Sequence, residues 1–182
     1  MAFNINDIRA QLTGGGARSN LFQVEIPLPA GVAGDDAAAA SQKLTFTCRT
    51  SAMPGATITM IPVSYFGREV KFAGSRTFEE WSVQIINDED FLVYDAINAW
   101  MNNINSHEGN LRLSGSSPLT YQASADVVQY GKQGNEIKRI KLVNLWPTSV
   151  QAIDLSWDAA DALQTFDVTW AFDYWTNEGV TS

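Results

Sequence analysis

Apolar and polar side chains alternate along much of this chain, which is the pattern of β-strands with one buried face. In the run 20–26, Phe22, Val24 and Ile26 alternate with polar residues. The strongest run lies at 164–174, where every second residue from 166 to 174 is large and apolar. Further strands are predicted at 44–48, 57–61, 64–72, 80–86, 122–130, 137–146 and 151–157.

One segment has helical periodicity instead. Val93, Ile97, Trp100 and Ile104 fall on a single stripe of an α-helix. Three acidic residues precede the stripe, where they can cap the helix and where its dipole favours negative charge. We therefore predict a helix over 88–106.

These elements define a fold class. A series of strands around one central helix, with no regular strand–helix alternation, predicts a mainly β, antiparallel barrel or sandwich with one flanking α-helix. The length of 182 residues fits a single domain spanning 1–182. Its less regular segments are an N-terminal arm at 1–18, an inserted loop at 28–41 and a C-terminal tail at 176–182.

The charge of the chain argues against one class of function. Twelve Lys and Arg residues stand against 20 Asp and Glu residues, giving a net charge of −8 and a pI near 4.5. A negative net charge disfavours binding to a phosphate backbone, so we do not expect sequence-specific binding of nucleic acid. The N-terminus lacks the features of a signal peptide and no long apolar run follows, so no membrane anchor is predicted.

Nothing in the sequence stands out as catalytic. Cys48 and His107 are the single cysteine and histidine, which excludes a Cys/His zinc site, and we expect neither a metal nor a cofactor. Cys48 falls on an apolar strand face, and His107 lies in a polar segment where a solvated imidazole is the simpler interpretation. Asp88, Glu89 and Asp90 could supply the carboxylate pair of a glycoside hydrolase or part of a calcium site, but helix capping explains all three. The chain is predicted not to be an enzyme.

The six tryptophans have two interpretations. Two or three of them on a flat sheet face would stack on sugar rings, as in a carbohydrate-binding module. The interpretation we favour is that Trp81, Trp100, Trp157 and Trp170 belong to the core and the others to interfaces. The carbohydrate-binding module is kept as the alternative function.

Eight short segments carry a resemblance to a known family. They are SNLFQVEI at 19–26, IPV at 61–63, AGSRTFEEW at 73–81, INDE at 86–89, LWPT at 145–148, LSWD at 155–158, QTFDVT at 164–169 and DYW at 173–175. No single segment is diagnostic. In number, order and spacing they resemble the tail tube protein family of contractile-tailed, T-even-like bacteriophages.

The resemblance implies a fold shared with secretion tubes and a structural role. Such a chain forms hexameric rings that stack into a hollow tube, which grows from a baseplate around a tape-measure protein, meets a tail terminator and is wrapped by a sheath. Double-stranded DNA passes through without specific binding. Six copies at −8 would carry −48 per ring, which repels DNA phosphates. The implied location is the virion tail, after assembly in the host cytoplasm, and a contractile-injection or secretion tube subunit is the closest alternative.

Contacts between rings are expected from segments outside the barrel. We predict that the arm at 1–18, the loop around 50–62 and the C-terminal end mediate stacking, since such segments can reach a neighbour. A basic group on a later strand, Lys138, Arg139 and Lys141, is either a solvated face or a contact with an acidic patch of another copy. The residues predicted at contacts between subunits are Phe3, Ile5, Ile8, Met53, Ile58, Ile61, Arg76, Lys138, Arg139 and Trp175.

Overall fold

The computed structural model describes residues 5–31, 33–34, 36–113, 117–158 and 160–179. The helices within these ranges are α1 (Ile5–Gln11), α2 (Ala37–Thr47) and α3 (Leu92–Ile104). The strands are β1 (Phe22–Glu25), β2 (Cys48–Ser51), β3 (Thr57–Tyr65), β4 (Arg68–Thr77), β5 (Trp81–Ile86), β6 (Ala123–Tyr130), β7 (Glu136–Val150), β8 (Thr165–Ala171) and β9 (Tyr174–Glu178). The mainly β, antiparallel fold class is confirmed.

Seven strands form one sheet in the order β1-β6-β7-β8-β5-β2, with β9 also paired to β7. The long strand β7 pairs with β6 and β9 along its first part and with β8 along its last part. Between the two parts Asn144 has a φ of +59° and its side-chain amide donates to Asp173 Oδ2 at 2.6 Å. Asparagine tolerates this left-handed conformation. The terminal strands β1 and β2 do not pair, so the described sheet is not a closed barrel.

The core forms where α3 packs on the sheet. Alternate residues of β8, including Trp170, are buried, as are Ile97 and Trp100 on the stripe of α3. The ring centroids of Trp100 and Trp170 lie 5.6 Å apart, and the Trp100 indole N–H donates to the Tyr121 carbonyl at 2.7 Å. The prediction of the helical stripe is therefore confirmed, as is a core position for Trp81, Trp100 and Trp170.

The segment before β2 differs from the prediction. A helix, α2, replaces the end of the loop predicted at 28–41 and the strand predicted at 44–48. Ala37, Ala40 and Leu44 share one buried face of this helix, which contacts β1 and α3. Alanine has the highest helix propensity, and its small side chain lets the helix approach the sheet closely. Two substantial helices therefore flank the sheet where one was predicted.

The C-terminal half also differs in detail. The strand predicted at 151–157 is wrong: those residues belong to the loop 151–164 between β7 and β8, of which residues 151–158 and 160–164 are described. Trp157 lies on that loop and is fully exposed, so its predicted core position is wrong as well. The strand predicted at 164–174 is divided into β8 and β9, because Asp173 takes part in the irregular turn beside Asn144. Since β9 extends to Glu178, it includes the start of the predicted tail.

Lys43 on α2 joins that helix to the start of α3. Its Nζ lies 2.6 Å from Asp88 Oδ2 and 2.5 Å from Asp90 Oδ2. Asp90 also accepts a hydrogen bond from the backbone N–H of Leu92 at 3.1 Å. The helix begins at Leu92 and its N-cap residue is Phe91, which forms no side-chain cap, so the prediction that all three acidic residues cap the helix is wrong. Asp88 and Asp90 instead have structural partners in Lys43 and, for Asp90, the Leu92 N–H.

Replacing Lys43 by methionine is expected to raise the pKa values of Asp88 and Asp90, because the ammonium hydrogen bonds hold both below the ordinary value of 3.8. In the wild-type chain the link stabilises the fold above that ordinary value and is lost as pH falls through the lowered pKa values. Carboxyl ¹³C titration by NMR measures the change. The Lys43→Arg variant, which keeps the charge, should retain lowered pKa values; equal titration of all three chains would contradict this assignment.

Candidate assembly surface

Strands β3 and β4 form an antiparallel hairpin that is separate from the main sheet. Their contacts are mainly with each other, and every residue of the two strands except Gly74 is exposed. A two-stranded hairpin without packing is marginally stable in water. The hairpin is therefore a surface that lacks a covering layer within the described part of this chain.

One face of the hairpin is apolar on both strands. Ile61 lies opposite Phe72, and Val63 lies opposite Val70, so four large apolar side chains form adjacent cross-strand pairs. Each is about half exposed. A continuous exposed row of this kind marks a surface used in contacts with other molecules.

The tip of the hairpin carries an aromatic residue in a conformation that disfavours it. Phe66 and Gly67 occupy the two-residue turn with φ values of +44° and +78°. Asn-Gly is the preferred sequence for a turn with two positive φ values, and a bulky side chain in the first position is strained. Phe66 is nonetheless 90% exposed, in edge contact with Tyr65. Folding does not explain this aromatic side chain, whereas a contact outside the chain would.

The root of the hairpin is fixed by aromatic residues. The indole N–H of Trp81 donates to the Ala52 carbonyl at 2.7 Å, and that of Trp175 donates to the Gly55 carbonyl at 3.1 Å. Phe78, just after β4, has its ring centroid 6.5 Å from that of Trp175. These contacts place Trp175 where it orients the hairpin from within the same chain.

Gly74 is required for close approach of the hairpin strands. A Cβ at this position would lie 2.5 Å from Thr59 Oγ1 and 3.0 Å from the Thr59 carbonyl oxygen. We expect Gly74→Ala to distort the hairpin, and so to reduce assembly, while changing the free energy of unfolding of the core by less than about 1 kcal/mol. Chemical denaturation measures the free energy of unfolding, and sedimentation measures assembly. Gly55→Ala, where a Cβ meets nothing within 4 Å, is the control; equal assembly of both variants would contradict this role of Gly74.

The structure groups some of the predicted contact residues and separates others. Ile58, Ile61 and Arg76 lie on the hairpin, and Met53 is exposed just before it. Ile8 is exposed on α1, a helix whose described side chains are all exposed. Phe3 and the side chain of Ile5 lie outside the described part of the chain.

The basic group on β7 is largely engaged within the chain. Arg139 contacts Glu136 at 2.8 Å, Asp126 at 3.2 Å and Glu25 at 3.5 Å, and the hydrogen bonds that its guanidinium donates to Glu136 contribute most to a raised guanidinium pKa. Its neighbour Lys141 lies 3.8 Å from Glu178. Lys138 is the member of the group with no ion pair among the described residues.

Sequence reasoning missed most of the apolar hairpin. Tyr65, Phe66, Val63, Val70 and Phe72 were not singled out as contacts, although they surround a glycine turn between two alternating runs. That pattern is a hairpin signal. The sequence does not reveal that the main sheet leaves the hairpin uncovered, and this is what distinguishes a contact surface from a core hairpin.

The described residues offer little to the other chemistries considered. All six tryptophans are described: three are buried, Trp146 and Trp175 are partly buried, and Trp157 is exposed, so no platform of two or three exposed indoles exists. Burial raises the pKa of the Cys48 thiol to about 12. No three His, Cys, Asp or Glu side chains in the described ranges are grouped to hold a metal ion. Among the helices described, none is long and apolar enough to span a membrane.

An open sheet together with an uncovered apolar hairpin is typical of a subunit that associates with other chains. The family model for phage tail tube proteins matches residues 17–178. The chain belongs to the phage tail tube protein family, which confirms the resemblance found in the sequence.

Individual relatives agree with this family. The chain is 37% identical over 173 residues to tail tube protein gp19 of Enterobacteria phage T4, covering 94% of this chain and 98% of that protein. It is 26% identical over 164 residues to the tail tube protein of Serratia phage KSP90, covering 89% and 90%. Its fold matches a chain from the sheath–tube complex of the PVC extracellular contractile injection system, with a TM-score of 0.60, 12% identity and coverage of 98% and 100%.

Proposed function

We propose that this chain is the subunit of the inner tail tube of a contractile phage tail, in which hexameric rings stack into a hollow conduit for genome ejection inside the sheath. The observation that carries the proposal is the hairpin. Its apolar face and Phe66 are exposed in the single chain, and a contact with another copy would bury them. Relatives in phages T4 and T6, at 37% and 36% identity, are tail tube proteins, which supports the same role here.

Two kinds of contact account for such an assembly. Within a ring, unpaired edges such as those of β1 and β2 are available to join neighbouring subunits. Between rings, the hairpin with Ile58, Ile61 and Arg76 engages the next ring, assisted by the N-terminal arm and Met53. A head-to-tail contact that does not close on itself produces an open helical assembly, as a tube requires.

The remaining partners follow from this role. The sheath, the baseplate and the tail terminator are proposed partners because structures of similar fold come from sheath–tube, baseplate and tube terminator complexes of injection systems. A tape-measure protein and passing double-stranded DNA complete the list, and the net charge of −8 disfavours adhesion of DNA to the wall. The protein acts in the virion tail, after assembly in the host cytoplasm, and its role is structural and non-enzymatic.

A subunit of a contractile injection system is the second candidate. The fold match to a PVC sheath–tube complex favours it, with a TM-score of 0.60. That match has 12% identity, whereas the phage T4 relative has 37%. The higher identity over nearly the whole chain favours the phage tail.

Negative-stain electron microscopy of the concentrated protein, together with its mass by light scattering, tests the proposal. We expect six-fold rings or hollow tubes, either spontaneously or after addition of isolated phage baseplates. A chain that stays monomeric and also fails to add to baseplates would overturn the tail tube proposal. If tryptophan fluorescence then responded to sugars, the carbohydrate-binding alternative would take its place.

A further inference from the structure

The loop 151–164 has an exposed surface that the fold of the single chain does not use. Leu155 is 83% exposed, Trp157 fully exposed and Leu163 73% exposed. Asp154 directly precedes Leu155, Asp158 and Asp161 lie between Trp157 and Leu163, and the segment contains no basic residue. None of these aspartates has an ion pair among the residues described. The surface combines large apolar groups with unbalanced negative charge.

The hairpin has the complementary character. It carries Arg68, Lys71 and Arg76 against a single acid, Glu69. Arg68, which pairs with Tyr65, lies on the apolar face beside the tip, whereas Lys71 and Arg76 lie on the other face. No ion pair engages these three basic side chains within the described ranges. The hairpin is thus basic on a chain whose net charge is −8, although Glu79 and Glu80 follow at its root. Opposite charges around apolar patches give a contact its register and its specificity.

The two surfaces lie at opposite ends of the same strands. The hairpin root adjoins the end of β5 where Trp81 pairs with Trp170. The loop 151–164 adjoins the other end, where Ile86 pairs with Thr165 and the Asn87 N–H donates to the Gln164 carbonyl at 2.9 Å. With about 3.3 Å per residue, β5 separates these ends by about 17 Å. The hairpin root and the loop are therefore arranged for contact between successive copies.

A groove of about 500 Å³ lies beside the loop, and its mostly polar lining includes Asp154, Leu155 and Leu163. The hairpin of nine-residue β3 and ten-residue β4 is about 30 Å long, enough to extend from its root onto a neighbouring molecule. Phe66, at the tip, is 90% exposed and its ring contacts that of Tyr65.

We propose that the loop 151–164 is the docking site for the β3–β4 hairpin of a second copy of this chain, with Phe66 and its apolar neighbours on Leu155, Trp157 and Leu163, and Arg68 beside the tip facing Asp154, Asp158 and Asp161. This inference rests on the proposed tube function and adds the receiving surface. The contact is head-to-tail, so each copy presents one hairpin and one loop, and stacking continues without closing.

Charge reversal tests the pairing. An acceptor-reversed chain (D154K/D158K/D161K) and a hairpin-reversed chain (R68E) are each expected to lower the yield of tubes by more than about tenfold, since like charges would face each other. The chain with all four substitutions should recover tubes, because opposite charges face each other again. Sedimentation and electron microscopy measure the yield.

A matched control separates pairing from overall charge. The chain with all four substitutions has a net charge of −4, so the control combines the acceptor reversal with R112E, which gives the same net charge at an exposed site outside both surfaces and outside the N-terminal arm. This control should not recover tubes. Recovery in the control, normal tubes from either single-surface reversal, or no recovery in the chain with all four substitutions while wild-type tubes form would overturn the pairing and leave the tail tube function standing. Wild-type chain that forms no tubes even on baseplates would overturn both.

Discussion

Replacing Phe66 by asparagine is expected to make the hairpin turn more favourable and yet to stop assembly. Asparagine before Gly67 suits a turn with two positive φ values, so the strain at +44° is relieved. The same change removes an aromatic side chain that is 90% exposed. If that side chain is an anchor at a contact, its loss costs about 2 kcal/mol, which raises the concentration needed for assembly about 30-fold.

Two measurements separate these opposite effects. Amide hydrogen exchange should show equal or greater protection in β3 and β4 of the unassembled Phe66→Asn chain, while sedimentation shows fewer tubes. Phe46→Asn makes the same exchange on the exposed face of α2, where Phe46 is 81% exposed, and should assemble like the wild type. If the Phe66→Asn chain assembles like the wild type, the hairpin tip is not part of the contact.

Two tryptophans are expected to differ strongly in their contribution to the free energy of unfolding. Trp100 is fully buried against Trp170 and donates a hydrogen bond to the Tyr121 carbonyl, so Trp100→Ala should cost about 3–5 kcal/mol. Trp157 is fully exposed, so Trp157→Ala should change the free energy of unfolding by less than about 0.5 kcal/mol. Urea denaturation followed by circular dichroism measures both.

The exposed tryptophan has a second expected effect. Although Trp157→Ala leaves the subunit folded, it should weaken stacking, because the loop 151–164 is the proposed docking site. Leu119→Ala removes another side chain of high exposure, 81%, from outside that loop and the hairpin, and serves as the control for assembly. A large loss of stability in Trp157→Ala would mean that the indole packs within its own chain, contrary to the structure.

The elements that the sequence predicts well are those whose pattern has one explanation. Period-two alternation at β1 and β8 and the apolar stripe of α3 each require a buried face, so the strands and the helix follow directly. The segment around Ala37–Ala40 lacks such a pattern, because alanine fits a loop or the closely packed face of a helix equally well. Only the neighbouring β1 and α3 decide that it is the helix α2.

The candidate contacts divide in the same way. The antiparallel β class, the negative charge and the family follow from the sequence alone, since they depend on periodicity, composition and the order of short segments. That Trp170 is core, that Trp157 is surface and that the hairpin around Phe66 is uncovered follow from the fold. The physical reason is that a large apolar side chain is driven out of water wherever a surface can receive it, and the sequence does not state whether that surface belongs to the same chain or to another.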